Sequence, residues 1–277
     1  MIQVEKEHIQ FIFNILAEAG NAIVNVYESD SFGAELKSDN SPVTKADKAS
    51  SNIINKDLKK IFPDIPVLDE EHVIPDFNIR TSWPQYFLVD PLDGTKEFIK
   101  RNGEFCINLA LMRGDSPEQG WIYEPLKKTG WYCKKGEGIF EFDDIGNLKK
   151  INRPELHTET IRIVASRSFF KPREAELIEK IKQSYTVEIL HSGSSKKQVQ
   201  MVLGNADMYL KAGPCSEWDT APGQLMVEEF GGAVLRHDNF ETMRYNKEDL
   251  INPHFVMLNS HYNTPDFISY LKNIIQN

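Results

Sequence analysis

An apolar run that ends in two closely spaced carboxylates constrains the fold of this chain more than any other segment. Tyr86–Val89 has the length and composition of a buried strand, and Asp90 and Asp93 follow it directly. Pro91 lies between them, and because proline has no amide hydrogen and a fixed φ, we expect the chain to leave the strand there. Gly94 then permits a sharp turn. The segment therefore predicts a buried strand whose carboxyl end carries an acidic turn.

This acidic turn has two interpretations. Two carboxylates three residues apart repel each other in a low dielectric, and bound cations remove that repulsion. Carboxylate oxygens suit Mg²⁺ or Mn²⁺, and Thr95 lies where a helix can begin, with its hydroxyl and amide facing the same space. The other interpretation is an ordinary turn rich in Asp, Pro and Gly. The spacing of a calcium-binding EF-hand loop is absent.

Two further acidic sites favour the metal interpretation. Glu70 and Glu71 follow the apolar run Ile65–Leu68, and adjacent strands would bring this end close to Asp90. Asp219 directly precedes a predicted helix, where by itself it is best explained as an N-cap. Together, these separated acids favour a metal-binding centre over an ordinary turn.

The hydrophobic pattern predicts alternating helices and strands along the rest of the chain. Helices are predicted at 5–27, from the capping residue Thr44 to Pro63, and at 172–182, 195–203, 220–230 and 267–275. A polar loop is predicted at 32–42, strands at 105–112, 121–123, 161–165, 187–190 and 208–211, and a hairpin at 130–140. The pattern changes between about 155 and 190, which predicts a domain 1–180 with the main metal motifs and a domain 181–277 that closes the site.

Charge and cysteine content limit the class of protein. The chain has 41 acidic and 32 basic residues, a balance opposite to that of a general nucleic-acid binder. Cys106, Cys133 and Cys215 form no CxxC pair and are expected to be reduced thiols. Residues 1–27 mix charged with apolar side chains, so neither a signal peptide nor a membrane span is predicted. We expect a cytoplasmic protein without stable membrane insertion, and peripheral attachment at the inner membrane stays open.

The acidic sites occur in the order and at the separations of a known family. Glu70–Glu71, Asp90–Thr95 and Trp218–Ala221 resemble the three signatures of the inositol monophosphatase superfamily, and the resemblance spans nearly the whole chain. Within that superfamily, Asn40–Asp47 and Lys96–Phe105 are similar to the bacterial 3'(2'),5'-bisphosphate nucleotidases. The resemblance implies a layered αβαβα sandwich of the inositol monophosphatase/fructose-1,6-bisphosphatase type, with the site between two halves.

The resemblance also implies roles for the acidic residues. It implies two or three Mg²⁺ ions per site as cofactor, with Mn²⁺ as an alternative. Glu70, Asp90 and the Leu92 carbonyl would hold the first ion, and Asp90, Asp93 and Asp219 the second. A third ion would use Glu70. Thr95, with Asp47 behind it, would orient or deprotonate the attacking water, and Glu70 would also be catalytic. Asp69 stands where relatives often carry Gly or Ser, so the choice of Glu70 over Glu71 rests on register alone.

Two basic segments are candidates for binding the rest of the substrate. His191–Lys197 lies between a predicted strand and a predicted helix, where small residues let a ligand approach the backbone and Lys196 favours an anion. The resemblance makes this the region that meets a nucleotide's sugar and second phosphate, whereas a Ser-capped helix with solvated lysines is the alternative. The predicted substrate contacts are Glu70, Leu92, Asp93, Gly94, Thr95, Gly193, Ser194, Ser195, Lys196 and Asp219. Lys100–Arg101 is a second basic pair, which is nearly as well explained as a solvated pair.

The function that the resemblance implies is Mg²⁺-dependent removal of the 3'-phosphate from adenosine 3',5'-bisphosphate (PAP), linked to sulfur assimilation. Conversion of the sulfated analogue PAPS to APS stays open at this point. An inositol monophosphatase or fructose-1,6-bisphosphatase on the same scaffold is the alternative, and a non-catalytic bisphosphate sensor is an alternative of another class. The expected partner is a small-molecule nucleotide bisphosphate rather than nucleic acid, and the chain would be a monomer or homodimer. The family also implies inhibition by lithium.

Overall fold

The computed structural model describes residues 6–29, 33–36, 42–155, 159–168 and 170–276. Residues 40 and 41 of the nucleotidase-like flank, and part of the loop predicted at 32–42, lie outside these ranges. Within them, the strands form a seven-stranded sheet, a five-stranded sheet and one two-stranded ribbon.

The first half of the chain contains four helices and the seven-stranded sheet. Its elements are α1 (Lys6–Tyr27), β1 (Glu35–Leu36), β2 (Pro42–Val43), α2 (Lys45–Ile61), β3 (Val67–Asp69), α3 (Phe77–Arg80), β4 (Gln85–Asp93), α4 (Thr95–Ile99), β5 (Cys106–Arg113), β6 (Ser116–Glu124), β7 (Thr129–Lys134), β8 (Gly138–Asp143) and β9 (Leu148–Ile151). A 3₁₀ turn at Pro125–Lys127 joins β6 to β7. The strands of this sheet lie in sequence order from β3 to β9.

The second half contains the five-stranded sheet and four more helices. Its elements are β10 (Ile161–Ser166), α5 (Pro172–Lys182), β11 (Val187–Ser192), α6 (Lys196–Val202), β12 (Met208–Lys211), α7 (Ala221–Glu229), β13 (Ala233–Arg236), β14 (Phe255–Leu258) and α8 (Pro265–Gln276). A 3₁₀ turn at Glu217–Asp219 directly precedes α7. The strand order is β11-β10-β12-β14-β13.

The hydrophobic cores show how these elements are layered. One core joins α1 and α2 to one face of the first sheet, through residues such as Leu16 and Phe87. A second core places α6 and α7 between the two sheets, where Leu225 lies among residues of both. A third joins α5 and α8 to the outer face of the second sheet, with Ile178 and Leu271 fully buried. The layers therefore run α, β, α, β, α, which confirms the predicted sandwich.

The first sheet brings two of the acidic sites together, as predicted. Strands β3 and β4 are parallel, and Asp69 is paired with Val89. Parallel strands end at the same edge of a sheet, so the residues that follow β3 lie beside the end of β4. This pairing is the reason that Glu70 and Asp90 can meet although they are distant in sequence.

The prediction that the chain leaves the strand at Pro91 is wrong. Strand β4 continues to Asp93, and its pairing with β5 shifts register between Asp90, which faces Asn108, and Asp93, which faces Cys106. The missing amide of Pro91 therefore produces a bulge rather than an end, because a bulge absorbs an unpaired residue while the strands stay together. The bulge lies in the middle of the acidic motif.

Other predictions were confirmed or incomplete. Thr44 and Asp47 form the predicted capping box at the start of α2. Helix α4 begins at Thr95, where a helix start was predicted. The short helix α3 and strands β1, β2, β9, β13 and β14 were not predicted, and β1 lies within the loop predicted at 32–42. The chain passes from the first sheet to the second between Ile151 and Ile161. That passage favours a boundary upstream of residue 180, and the predicted division into domains 1–180 and 181–277 stays a prediction.

Helix α1 is long and apolar enough, in length and composition, to cross a membrane between His8 and Tyr27. Half of the most apolar window is buried inside the protein. Leu16, Ala19 and Ile23 are completely buried against the first sheet and α2. The apolar face of this helix is therefore part of the protein core, as the amphipathic pattern predicted.

Candidate active site

Three carboxylates from separate parts of the chain meet in one cleft. Glu70 follows β3, Asp90 lies in β4 and Asp219 ends the 3₁₀ turn before α7. Each offers an oxygen within 4.8 Å of the other two. The cleft has a volume of about 560 Å³, which is within the usual range for small-molecule sites. The structure thus brings together one acid from each predicted acidic site.

The electrostatics of this cluster are those of a cation site. Burial raises the pKa of Asp90 well above its usual range, and the neighbouring charges of Glu70, Asp93 and Asp219 raise it further. Burial, followed by the charges of Asp93 and Glu70, raises the pKa of Asp219 to about 7. Carboxylates crowded in this way are stabilised by a hard divalent cation, and their oxygens are the donors that Mg²⁺ prefers. The donor set therefore fits a divalent metal ion.

Asp69 explains why Glu70, rather than Glu71, joins the cluster. The Asp69 carboxylate accepts hydrogen bonds from Asn55 Nδ2 at 2.6 Å and from Ser51 Oγ at 3.0 Å, both on α2. It also accepts one from the backbone amide of Glu71 at 2.7 Å. Asp69 thereby fixes the end of β3, and Glu70 is the glutamate whose carboxylate lies beside Asp90 and Asp219.

Asp93 is held by the second half of the chain. Its Oδ2 accepts hydrogen bonds from the backbone amide and the hydroxyl of Ser195, both at 2.5 Å, and from Asn108 Nδ2 at 3.3 Å. It lies outside the group of three carboxylates, although it is near enough to raise the pKa of Asp90. The metal-binding roles of Asp93 and of the Leu92 carbonyl stay predictions.

Thr95 and Asp47 form a hydrogen-bonded pair beside the cluster. The Thr95 hydroxyl donates to Asp47 Oδ1 at 3.0 Å, and the Leu92 carbonyl at 3.3 Å is an alternative acceptor. Asp47 Oδ2 accepts from the amide and hydroxyl of Thr44 at 2.7 and 2.6 Å. Burial raises the pKa of Asp47 although these hydrogen bonds oppose the shift. The capping box of α2 therefore orients the carboxylate that accepts the hydrogen bond from Thr95.

The predicted lysine, Lys196, and its neighbour Lys197 lie differently relative to the cleft. Lys196 Nζ lies 3.2 Å from Glu124 Oε2, and Lys196 is absent from the described residues that line the cleft. Its neighbour Lys197 does line the cleft, together with Lys96, Lys171 and Lys211. Residues 196 and 197 differ by one helical step, which turns them to different faces of α6. Lys197 is therefore the member of this pair that lines the cleft, and the anion contact of Lys196 stays a prediction.

Lys197 is a buried cation. Its Nζ donates to the Ser194 carbonyl at 2.6 Å and lies 5.4 Å from the centre of the Tyr209 ring. Burial lowers its pKa, and the charge of Asp93 partly opposes that shift. Lys211, at the end of β12, is also buried. The sequence contained a signal for Lys211, because a charged residue at the end of an apolar strand is a candidate for a site at the strand end.

The remaining predicted contacts divide into those that line the cleft and those that do not. Leu92, Gly94, Thr95, Ser194 and Ser195 line it beside the acids. Gly193 donates its amide to Glu104 Oε2 at 2.8 Å and is not among the lining residues. The basic pair Lys100–Arg101 also lies elsewhere, since Lys100 donates to Ser168 and Arg101 to carbonyls at the end of α1.

The fold and the acidic cleft together define the class of protein. The chain belongs to the inositol monophosphatase family, whose model matches residues 5–276. It is 38% identical over 254 residues to the 3'(2'),5'-bisphosphate nucleotidase CysQ of Salmonella typhimurium, a match that covers 89% of this chain and 98% of that protein.

Solved structures give the same result. CysQ from Bacteroides thetaiotaomicron, a bacterial member of the inositol monophosphatase family, is 34% identical and superposes with a TM-score of 0.82, over 92% of this chain and 98% of that one. An inositol monophosphatase/NADP phosphatase complexed with Mg²⁺ and phosphate superposes with a TM-score of 0.77, over 97% of this chain and 95% of that one. That structure is 18% identical and shows likeness of fold alone.

Proposed function

We propose that the chain is a 3'(2'),5'-bisphosphate nucleotidase that converts PAP and water to AMP and inorganic phosphate. The named activity of the relatives and their coverage of nearly the whole chain support this assignment. The observation that carries it is that one cleft contains both the acidic cluster and several lysines, Lys96 from the first half of the chain and Lys171, Lys197 and Lys211 from the second. A substrate with two phosphates, one at the reaction centre and one at a distance, matches such a cleft.

The acidic cluster is proposed to hold Mg²⁺, two or three ions per site, with Mn²⁺ as an alternative. Glu70, Asp90 and Asp219 would be ligands, and Asp93 and the Leu92 carbonyl would complete the set. Bound divalent ions lower the pKa of water and offset the charge of the transferred phosphoryl group. The excess negative charge of the cluster is the physical reason that the site needs them.

Thr95 and Asp47 are proposed to position the attacking water and remove its proton. Because the Thr95 hydroxyl donates to Asp47, its lone pairs are directed elsewhere and can accept a hydrogen bond from water. The water oxygen forms a bond to phosphorus as the bond between phosphorus and the 3'-oxygen breaks, and the departing 3'-oxygen gains a proton. We also propose that the amides of Gly94 and Thr95 bind oxygens of the transferred phosphate, since both residues line the cleft.

The second phosphate of the substrate is proposed to bind Lys171, Lys197 and Lys211. All three belong to the second half of the chain, at the start of α5, in α6 and at the end of β12. The Glu174 carboxylate joins two of these places, because it accepts hydrogen bonds from the amides of Lys171 at 3.0 Å and Ala212 at 2.9 Å. An anionic ligand would compensate the cost of burying Lys197 and Lys211. Inositol 1-phosphate has no second phosphate for these lysines.

We also propose a second substrate, a location, a pathway and an oligomeric state for the protein. PAPS would be a second substrate, converted to APS, because it has the same 3'-phosphate. We propose a cytoplasmic location with a role in sulfur assimilation, and a monomer or homodimer as the active form. A non-catalytic sensor is disfavoured because Thr95 and every carboxylate of the cluster line one cleft, and Asp47 accepts a hydrogen bond from Thr95.

Phosphate release from four substrates tests the proposal. With Mg²⁺, PAP should be hydrolysed much faster than inositol 1-phosphate or fructose 1,6-bisphosphate, and 3'-AMP should show a higher KM because it lacks the distal phosphate. Excess EDTA should abolish turnover, and restored Mg²⁺ should recover it. Turnover of inositol 1-phosphate with no turnover of PAP would refute the nucleotidase assignment.

A further inference from the structure

An ion pair between the two halves of the chain lies directly behind the active site. Arg167, which follows β10, donates from Nε to Glu104 Oε2 at 2.6 Å and from Nη2 to Glu104 Oε1 at 2.8 Å. Glu104 lies just before β5 in the first half. Such a two-pronged contact between Arg and a carboxylate fixes direction as well as distance. We call Glu104 and Arg167 the clasp.

The clasp also holds the loop that contains Ser194 and Ser195. Glu104 Oε2 accepts a hydrogen bond from the Gly193 amide at 2.8 Å, and Arg167 Nη2 donates to the His191 carbonyl at 2.8 Å. Burial by itself would raise the pKa of Glu104, but hydrogen bonds from Arg167 and Gly193 outweigh it and lower the pKa. Glu104 is therefore a charged acceptor on which two donors of the second half converge.

The same residue is packed between two glycines that need to be glycines. A Cβ on Gly94 would lie 2.9 Å from the Glu104 carbonyl and 3.0 Å from Ser194 Cβ. A Cβ on Gly193 would lie 2.9 Å from Glu104 Cβ. The turn that contains Asp93 and the loop that contains Ser195 thus approach each other across Glu104, and a side chain at either glycine would separate them.

The loop behind the clasp adopts a conformation that needs external support. Ser194 has φ +45°, a left-handed conformation that residues other than glycine seldom adopt. Its carbonyl accepts from Lys197, and the next residue, Ser195, donates twice to Asp93. The position of this loop therefore determines where both the buried lysine and Asp93 are directed.

We propose that Glu104 and Arg167 are positioning residues, which fix the loop 193–195 against the turn 93–95 so that Lys197 and Asp93 face the substrate together. The proposal rests on the proposed function where hydrolysis is its readout. Neither residue lines the cleft among the described residues. The clasp acts through the loop rather than by contact with substrate, so its loss lowers turnover without removing any group that binds the phosphate.

The matched control is a second Arg–Glu pair of the same form. Arg113 makes a two-pronged contact with Glu118 between β5 and β6, inside the first sheet. Its side chains are 50% and 25% exposed, against 45% and 17% for Arg167 and Glu104. The two pairs therefore have the same chemistry and similar exposure to solvent, but only the clasp joins the two halves of the chain.

The test compares Glu104→Ala, Arg167→Met and their double variant with Arg113→Met, by steady-state hydrolysis of PAP. Each clasp variant should lower kcat/KM about tenfold, equivalent to about 1.4 kcal/mol, and the double variant should lose little more than Glu104→Ala because the residues act as one unit. Glu104→Gln keeps an acceptor for the Gly193 amide and should recover part of the loss. Arg113→Met should stay within about twofold of the wild type.

Hydrogen exchange without substrate provides a readout that does not depend on activity. Amides of residues 191–197 should exchange faster in the clasp variants than in wild type or Arg113→Met. The proposal would be overturned if the exchange rates of these amides were unchanged in the clasp variants. It would also be overturned if wild type hydrolyses PAP and the clasp variants keep the same kcat/KM. Losses that add up in the double variant would also overturn it.

If wild type fails to hydrolyse PAP, the proposed function fails, and hydrogen exchange still decides whether the clasp fixes the loop. If Glu104→Ala does not fold, Arg167→Met decides, since that side chain is 45% exposed.

Discussion

Replacement of Lys197 with methionine removes the ammonium group that we propose binds the distal phosphate, while it keeps a side chain of similar length. Lys197 is 7% exposed and lines the cleft. A hydrogen bond to a charged group contributes about 1.5–3 kcal/mol, so we expect KM for PAP to rise by about 10- to 100-fold. The kcat should change little, since the acidic cluster and Thr95 stay in place.

The protein itself should tolerate this substitution. Burial lowers the pKa of Lys197, which means that the charged form is disfavoured where it lies. Methionine removes that cost, although it also loses the hydrogen bond to the Ser194 carbonyl and the contact with the Tyr209 ring. The two effects oppose each other, so the urea midpoint of unfolding should stay close to that of the wild type.

Two comparisons make the assay specific. The first is 3'-AMP, which has no distal phosphate and whose kcat/KM should change less than about threefold, within the range of an ordinary surface substitution. The second is Lys196→Met, at the adjacent position in α6. That variant leaves Glu124 paired with Lys127, whose Nζ lies 2.9 Å from Glu124 Oε2, and it should keep normal kinetics.

The reasoning would be refuted by either of two results. An equal loss on PAP and 3'-AMP would mean that Lys197 supports the reaction centre and not a distal phosphate. A larger rise in KM from Lys196→Met than from Lys197→Met would mean that the original prediction of Lys196 was right and that the orientation of α6 assigned above is wrong.

Three further predictions concern the turn, the acidic cluster and a buried histidine. Gly94→Ala should destabilise the protein by about 1–3 kcal/mol in urea unfolding, because Gly94 has φ +96° and a Cβ would lie 2.9 Å from the Glu104 carbonyl; a loss below about 0.5 kcal/mol would contradict the packing. Asp90→Asn should raise the unfolding midpoint of the metal-free protein, because it removes one of several crowded charges, and should abolish phosphate release with Mg²⁺ present; retained turnover would argue against a metal role. Burial, helped by the nearby charges of His254 and Arg173, lowers the pKa of His237 from 6.5 to about 4. The unfolded state therefore binds a proton that the folded state refuses, so stability should fall by up to about 3 kcal/mol as the pH drops from 6.5 to 4, and His237→Gln should flatten that dependence in urea titrations.

The sequence predicted well wherever the signal is local. The capping box at Thr44 and Asp47 and the apolar strand before Asp90 depend on neighbours within a few residues, and the structure contains both. The strands β9, β13 and β14 were missed because each has four residues and depends on partners supplied by other parts of the chain. Pro91 shows the opposite error, since a local rule predicted the end of a strand that pairing with β5 maintains as a bulge.

The acidic site was predictable in composition but not in geometry. Local patterns placed acids after strands and before a helix, and resemblance to a family connected them. Only the parallel pairing of β3 with β4 and the packing of α7 between the sheets bring Glu70, Asp90 and Asp219 within 4.8 Å. Such pairings join residues far apart in sequence, and periodicity contains no information about which elements will meet.

The tertiary structure alone determined which charges face the cleft. The sequence of α6 presents two adjacent lysines, and nothing in that dipeptide distinguishes Lys196, which pairs with Glu124, from Lys197, which is buried beside Tyr209. The same holds for Asp93, whose carboxylate meets Ser195 from the other half of the chain. The sequence by itself determined that this chain carries a strand-end acidic motif and a helix capped by Thr44. Which side chains converge there was determined by the packing of two sheets, because side-chain direction depends on contacts between distant elements.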